Sequence, residues 1–80
     1  MVIQVLGSGC KKCNELYDNA RAAVEALAES GHRVEKVDDV DTFLRLGVRV
    51  TPALVLDEEV VSSGRVLSSD EIQSLIVERT

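Results

Sequence analysis

Two cysteines separated by two residues, within Gly7-Ser8-Gly9-Cys10-Lys11-Lys12-Cys13, are the side chains of this 80-residue sequence best suited to chemistry. They follow an apolar run, Val2-Ile3-Gln4-Val5-Leu6, and open a long segment of helical period. Both thiols therefore fall at the junction of a strand and a helix. A helix beginning at or just after Cys10 places the first thiol beside backbone N–H groups without intrahelical partners, at the positive end of the helix dipole. That end stabilises an anion by ~0.3–1 kcal/mol when exposed and up to ~2 in favourable geometry. Since ~1.4 kcal/mol is one pKa unit, a thiol starting near ~8.5 could fall towards roughly 7. Cys13 lies one turn along the same face, within reach of Cys10 but turned back against the fold and less exposed. The pair reads as an attacking thiol, Cys10, and a resolving thiol, Cys13.

A purely structural role is the weaker reading. A bridge closing so short a loop stabilises by roughly 2 kcal/mol at most, against about 4.7 for a hundred-residue loop. A staple would sit elsewhere in the chain.

Composition narrows the classes further. Eighty residues with 45% apolar content make one small domain, residues 1–80. Such a domain buries only about 60–65% of its unfolded surface, so its core is thin and its loops are short. The formal net charge of -5, with no basic tract, argues against nucleic acid and anionic membrane surfaces as partners. Met1 runs into a strand pattern without a basic leader, and no apolar stretch approaches the ~20 residues of a membrane span. A soluble, cytoplasmic protein is expected. In a reducing compartment a Cys-x-x-Cys pair points to redox or metal chemistry rather than to a disulfide framework.

The elements that must position the thiols follow from periodicity. Cys13, Leu16, Ala20, Ala23, Val24 and Leu27 recur at helical spacing, predicting a helix over 11–30 ended by Gly31 as its cap. His32 to Val37 reads as a strand, which makes a βαβ unit with parallel strands. Asp38, Asp39 and Asp41 start a short helix through Phe43 and Leu46 that ends at Gly47, and they read as capping charges rather than metal ligands. Val48 to Leu56 reads as a strand with Pro52 near its mouth, and base rates alone favour a trans bond there. Asp57-Glu58 forms a tight turn into Glu59–Ser62, and Gly64 breaks the backbone after it. Ser68 and Glu71 carry a capping-box pattern that opens a helix over about 69–78. Tyr17 reads as a half-buried packing residue and His32 as a loop residue.

This order, strand, Cys-x-x-Cys, helix, strand, helix, Val50-Thr51-Pro52, hairpin, Gly64, helix, resembles the thioredoxin/glutaredoxin fold in its minimal form. More narrowly it is similar to small archaeal and bacterial redox-active disulfide proteins, with Gly-x-Gly-Cys-x-x-Cys after the first strand. The resemblance covers essentially the whole chain. It implies an α/β architecture, βαβαββα, with a four-stranded mixed sheet and flanking helices. It further implies Cys10 as nucleophile, Cys13 as resolving thiol and Pro52 as a cis-proline beside the disulfide, against the trans reading above. Thr51 would pair its backbone with an extended substrate segment, and Gly64, with Ser69 and Asp70, loosely matches the region where glutaredoxins hold glutathione. The departures are specific. Gly9 stands where thioredoxins carry Trp, and Lys11-Lys12 replaces both the Gly-Pro of thioredoxins and the Pro-Tyr of common glutaredoxins. Gln4 occupies the place of their buried acid.

Lys11 and Lys12 favour a thiolate electrostatically and, with Arg49 and Arg65, could form a basic rim that meets substrate. The activity these features imply is thiol–disulfide oxidoreduction on protein or small-molecule disulfides by a monomer. No cofactor is expected beyond a reversible Cys10–Cys13 disulfide. The electron donor would be a thioredoxin-reductase-like enzyme or glutathione. Two alternatives are a metal–thiolate site completed by a second chain and a non-catalytic redox-sensing adaptor.

Overall fold

The computed structural model of the chain describes residues 1–27 and 31–79. Its elements are β1 (Val2–Leu6), α1 (Lys11–Leu27), β2 (Arg33–Val37), α2 (Val40–Leu46), β3 (Ala53–Leu56), β4 (Glu59–Ser63) and α3 (Ser69–Glu78). They form a four-stranded mixed sheet in the order β2-β1-β3-β4. β1 pairs parallel with β2, Val2 opposite Arg33, after the α1 crossover, and antiparallel with β3, Val5 opposite Leu54. A hairpin joins β3 to β4. This is the minimal thioredoxin-like α/β architecture expected above. The last three residues of the helix expected over 11–30, residues 28–30, lie outside the described residues.

Alternation along the strands sorts two apolar layers. Ile3, Val5, Leu54 and Leu56 pack with Leu16, Ala20 and Ala23 of α1 and with Ile72 and Ile76 of α3. On the opposite face Leu6, Ala53 and Val55 meet Val48, Phe43 and Leu46, the side that α2 covers. The thicker layer lies under α1, so the helix that begins at the cysteines is anchored along its whole described length. Tyr17 is half-buried against this layer, with the Lys36 ammonium 4.8 Å from its ring centre, consistent with a packing role.

The helix starts expected from side-chain capping are present. Asp39 Oδ1 accepts from the Asp41 N–H at 3.2 Å and its Oδ2 from Thr42 Oγ1 at 3.0 Å. Ser68 Oγ accepts from the Glu71 N–H, and Glu71 Oε1 accepts from the Ser68 N–H, both at 3.1 Å. Ser68→Ala is expected to destabilise the chain by about 1 kcal/mol in a urea titration, with the midpoint displaced and the slope kept. The Glu71 carboxyl is held below its ordinary value, chiefly by the Ser68 N–H, with the Ser68 hydroxyl and Arg65 assisting. A depressed carboxyl contributes stability that is complete above its unfolded value of ~4.3 and is lost as pH falls through the lower folded value. The acid limb of the unfolding curve should therefore lose this contribution in Glu71→Gln.

One expected strand is shorter than its pattern. Val48-Arg49-Val50-Thr51 is loop, and β3 begins only at Ala53. The C-terminus of α2 takes the first backbone donors of this stretch. Gly47, at φ 76, donates to the Leu44 carbonyl at 3.1 Å, and Val48 donates to Phe43 at 2.8 Å. The wrap occupies the Val48 N–H, and Pro52 has none to offer a ladder. The hairpin turn places both Asp57 and Glu58 at positive φ, 46 and 70. Asp57 is anchored by β1, its N–H donating to the Val2 carbonyl at 2.9 Å while its Oδ1 accepts from the Val2 N–H at 2.8 Å. That accounts for a tight two-residue turn without the usual Gly or Asn. Among the described residues no helix is long and apolar enough to cross a membrane.

Candidate active site

β1 delivers the chain to the cysteines at the end of the sheet. Beyond Leu6, the Gly7 N–H donates to the Val37 carbonyl at 2.9 Å, extending the β1–β2 ladder by one step. Ser8 and Gly9 then turn the chain, and the Cys10 carbonyl accepts the first bond of α1, from the Asn14 N–H at 3.0 Å. Cys10 is thus the residue at which the helix starts. Its thiol is exposed, whereas Cys13 is only 4% exposed. The two sulfurs are 2.9 Å apart as a reduced pair.

Their environments push them in opposite directions. The Cys10 thiol is lowered from its ordinary value, first by the hydrogen bond from the Cys13 thiol and then by backbone N–H groups of the helix start, at Cys13, Lys12 and Cys10. The Cys13 thiol is raised, first by burial, then because its proton is given to Cys10 and because an anion there would face the Cys10 charge. An exposed sulfur whose anion is favoured, beside a buried one whose proton is retained, is the arrangement of an attacking and a resolving sulfur. Among these causes the lysine ammonium groups do not figure. Lys11 and Lys12 are exposed, and neither forms an ion pair among the described residues.

The loop before β3 faces the same place. Pro52 is fully buried, and the Thr51–Pro52 bond is cis, which corrects the trans expectation from base rates and agrees with the family resemblance. Thr51 is exposed, and its Cβ lies 4.0 Å from the point where a side chain on Gly7 would begin, beside the Cys13 sulfur. The loop is clipped from β4 on both sides of Thr51. Ser63 Oγ donates to the Val50 carbonyl at 2.7 Å, and the Gly64 N–H donates to the Pro52 carbonyl at 2.8 Å. Thr51 itself makes no backbone hydrogen bond among the described residues, so its N–H and C=O remain open to an extended segment. Gly64, at φ 77, sits with its Cα against Val50, and a Cβ there would come within 2.8 Å of Val50 Cγ1. Arg65 turns toward α3, its Nη2 3.4 Å from Glu71 Oε2.

Asn14 and Lys36 were not singled out from the sequence. Asn14 Nδ2 donates to the Gly9 carbonyl at 3.5 Å, and Lys36 Nζ donates to Asn14 Oδ1 at 2.9 Å, which ties β2 to the loop before Cys10. Spacing of four from Cys10 was the available signal for Asn14; nothing local marks Lys36. Gln4 donates to Glu35 across β1–β2 at 3.5 Å. Among the described residues no cluster of three or more His, Cys, Asp or Glu side chains could hold a metal ion.

The fold and the paired thiols at a strand–helix junction, facing a cis-proline loop, define a thioredoxin-like redox protein. The family model described as a thioredoxin domain matches residues 1–77, and the chain belongs to that family. It is 38% identical over 76 residues to a protein named thioredoxin from Methanothermobacter thermautotrophicus, covering 95% of this chain and 97% of that one. It is 40% identical over 73 residues to a protein named thioredoxin from Methanocaldococcus jannaschii, covering 91% and 83% respectively.

Proposed function

We propose that this chain is a thiol–disulfide oxidoreductase that reduces disulfides of proteins or small molecules through Cys10 and Cys13. The observation that carries this reading is the pair of sulfurs 2.9 Å apart at the start of α1, Cys10 exposed and Cys13 buried, and the opposite directions of their pKa shifts agree with it. The Cys10 thiolate attacks one sulfur of a substrate disulfide and releases the other as a thiolate, leaving a mixed disulfide on Cys10. Cys13 then attacks Cys10, the reduced substrate departs, and the Cys10–Cys13 disulfide holds the oxidising equivalents. Membership of the thioredoxin family and the names of its two relatives support the same chemistry.

Further roles follow from position. Thr51 offers unengaged backbone groups to an extended substrate segment, in the manner of strand addition. Pro52, buried after its cis bond, takes the place the family resemblance implies for it beside the disulfide. Gly64 supports this loop by letting Val50 lie against it, and Lys11 and Lys12 meet the substrate at the exposed rim. One chain supplies both thiols and the loop, so a monomer suffices. The cytoplasm, where thiols are kept reduced, is the compartment in which such a dithiol recycles.

The electron donor is tested by offering the oxidised protein either a thioredoxin reductase with its nicotinamide, or glutathione with glutathione reductase. We expect the first to reduce the bridge and sustain turnover of a disulfide-linked model peptide. A bridge that neither donor reduces would contradict the proposed function.

A further inference from the structure

Four of the five glycines in this chain have backbone φ between 76 and 93, a region where a side chain is strained. Gly7 is the exception. Its φ lies outside that region, and its N–H continues the pairing of β1 with β2, so its backbone suits any residue. What excludes a side chain is the resolving cysteine. A Cβ built on Gly7 would overlap the Cys13 sulfur and lie 3.0 Å from Cys13 Cβ, and the next atom it meets is Thr51 Cβ at 4.0 Å. Because Cys13 Cβ is itself close, turning the sulfur away does not clear the overlap; the start of α1 must shift as well.

We infer that Gly7 is a positioning residue for the second half of the exchange: it leaves bare the backbone against which the Cys13 sulfur lies, 2.9 Å from the Cys10 sulfur. This role rests on the thiol–disulfide reading above. In the step concerned, the Cys13 thiolate attacks the Cys10 sulfur of the mixed disulfide. The Cys10–Cys13 bond forms, the bond from Cys10 to the substrate breaks, and the substrate sulfur leaves with the electron pair. The two cysteines are oxidised by two electrons and the substrate disulfide is reduced by the same two. The proton lost from Cys13 and the one gained by the leaving thiolate balance through solvent. Gly7 takes no part in bond making; it sets where the attacking sulfur starts.

Gly7→Ala should therefore separate the two half-reactions. The test mixes the reduced full chain with a symmetrical nitrobenzoate disulfide, whose released thiolate is coloured, at about pH 9, above the ~8.5 of a free thiol. In the unsubstituted protein two equivalents of thiolate appear in quick succession. In Gly7→Ala the first equivalent keeps its rate within about twofold, while the second slows by about 10- to 100-fold, as misplacement of a reacting atom by ~1 Å does. Intact mass then shows the aryl adduct retained on Cys10. A merely weakened fold would slow neither phase selectively.

A Gly7→Ala protein that releases both equivalents at the original rates overturns the role of Gly7 and leaves the oxidoreductase reading standing. An unsubstituted protein that releases no thiolate overturns that reading and the role with it. Should Gly7→Ala fail to fold, the same methyl is added to a Cys13→Ala chain and the melting temperatures are compared. The role requires the methyl to lower stability less there than beside the intact cysteine, and equal losses overturn it.

Discussion

We expect Cys10→Ser to reduce disulfides no faster than the uncatalysed background, and Cys13→Ser to complete the first exchange and accumulate a covalent complex with its substrate. The asymmetry follows from exposure and hydrogen bonding. Cys10 is open to solvent, and its sulfur accepts hydrogen bonds from the Cys13 thiol and from N–H groups of the helix start. Serine at that position has no thiolate to form, so no sulfur–sulfur bond begins. Cys13 is 4% exposed and held as a thiol by burial, so a bulky disulfide cannot approach it, and its loss leaves nothing to attack the mixed disulfide. The two variants are distinguished by intact mass under non-reducing conditions after incubation with a disulfide-linked peptide. A peptide adduct on Cys10→Ser, carried by Cys13, would reverse the assignment of roles.

The second large effect is on stability. Leu16→Ala should cost about 2–5 kcal/mol, the range for deleting a fully buried leucine. Leu16 is wholly buried, one turn beyond Cys13, between α1 and the sheet. Against the roughly 5–15 kcal/mol that holds a typical domain together, the loss is severe in a chain with so thin a core. A thermal scan should show the midpoint lowered on the order of 10–30 °C. Leu44→Ala provides the contrast. Leu44 is 72% exposed on α2, and its removal should change stability by less than about 0.5 kcal/mol. A melting temperature unaffected by Leu16→Ala would mean that α1 is not seated on the sheet as described.

Most of the fold was legible because local and global signals agree along this chain. The apolar run of β1 ends at a glycine-rich turn, α1 shows a single apolar stripe, and Asp39 and Ser68 announce the other two helices with the acceptors that orphan N–H groups require. The pattern misled at Val48-Arg49-Val50. Its alternation imitates a strand, but Gly47 in the left-handed conformation directs the Val48 N–H back to Phe43, a hydrogen bond that hydropathy does not encode. Val50 is left 58% exposed, lying over Gly64 rather than in a ladder.

At the site, residue types fixed less than geometry did. The spacing of Cys10 and Cys13 was enough to expect one exposed and one buried thiol. The lysines between them suggested that side-chain charge would stabilise the thiolate, yet the groups that lower Cys10 are the partner thiol and backbone N–H donors. Backbone donors are invisible in a sequence except through the helix start that aims them. The cis bond before Pro52 followed from family resemblance alone, since Val50-Thr51-Pro52 carries no local mark of it. Gly7 could be read only as part of a turn until Cys13 was seen to lie against it.

The central claim is that the Cys13 thiol and the N–H groups at the start of α1 favour the anion of Cys10, while burial favours the protonated form of Cys13. Alkylation of the reduced protein across pH, with each cysteine located by peptide mass, tests it most directly. The account predicts that Cys10 is modified first, with a rate that rises through a midpoint below the ~8.5 of a free thiol, and that Cys13 reacts only above that value. Equal rates at the two cysteines, or a Cys10 midpoint at or above the free-thiol value, would contradict it.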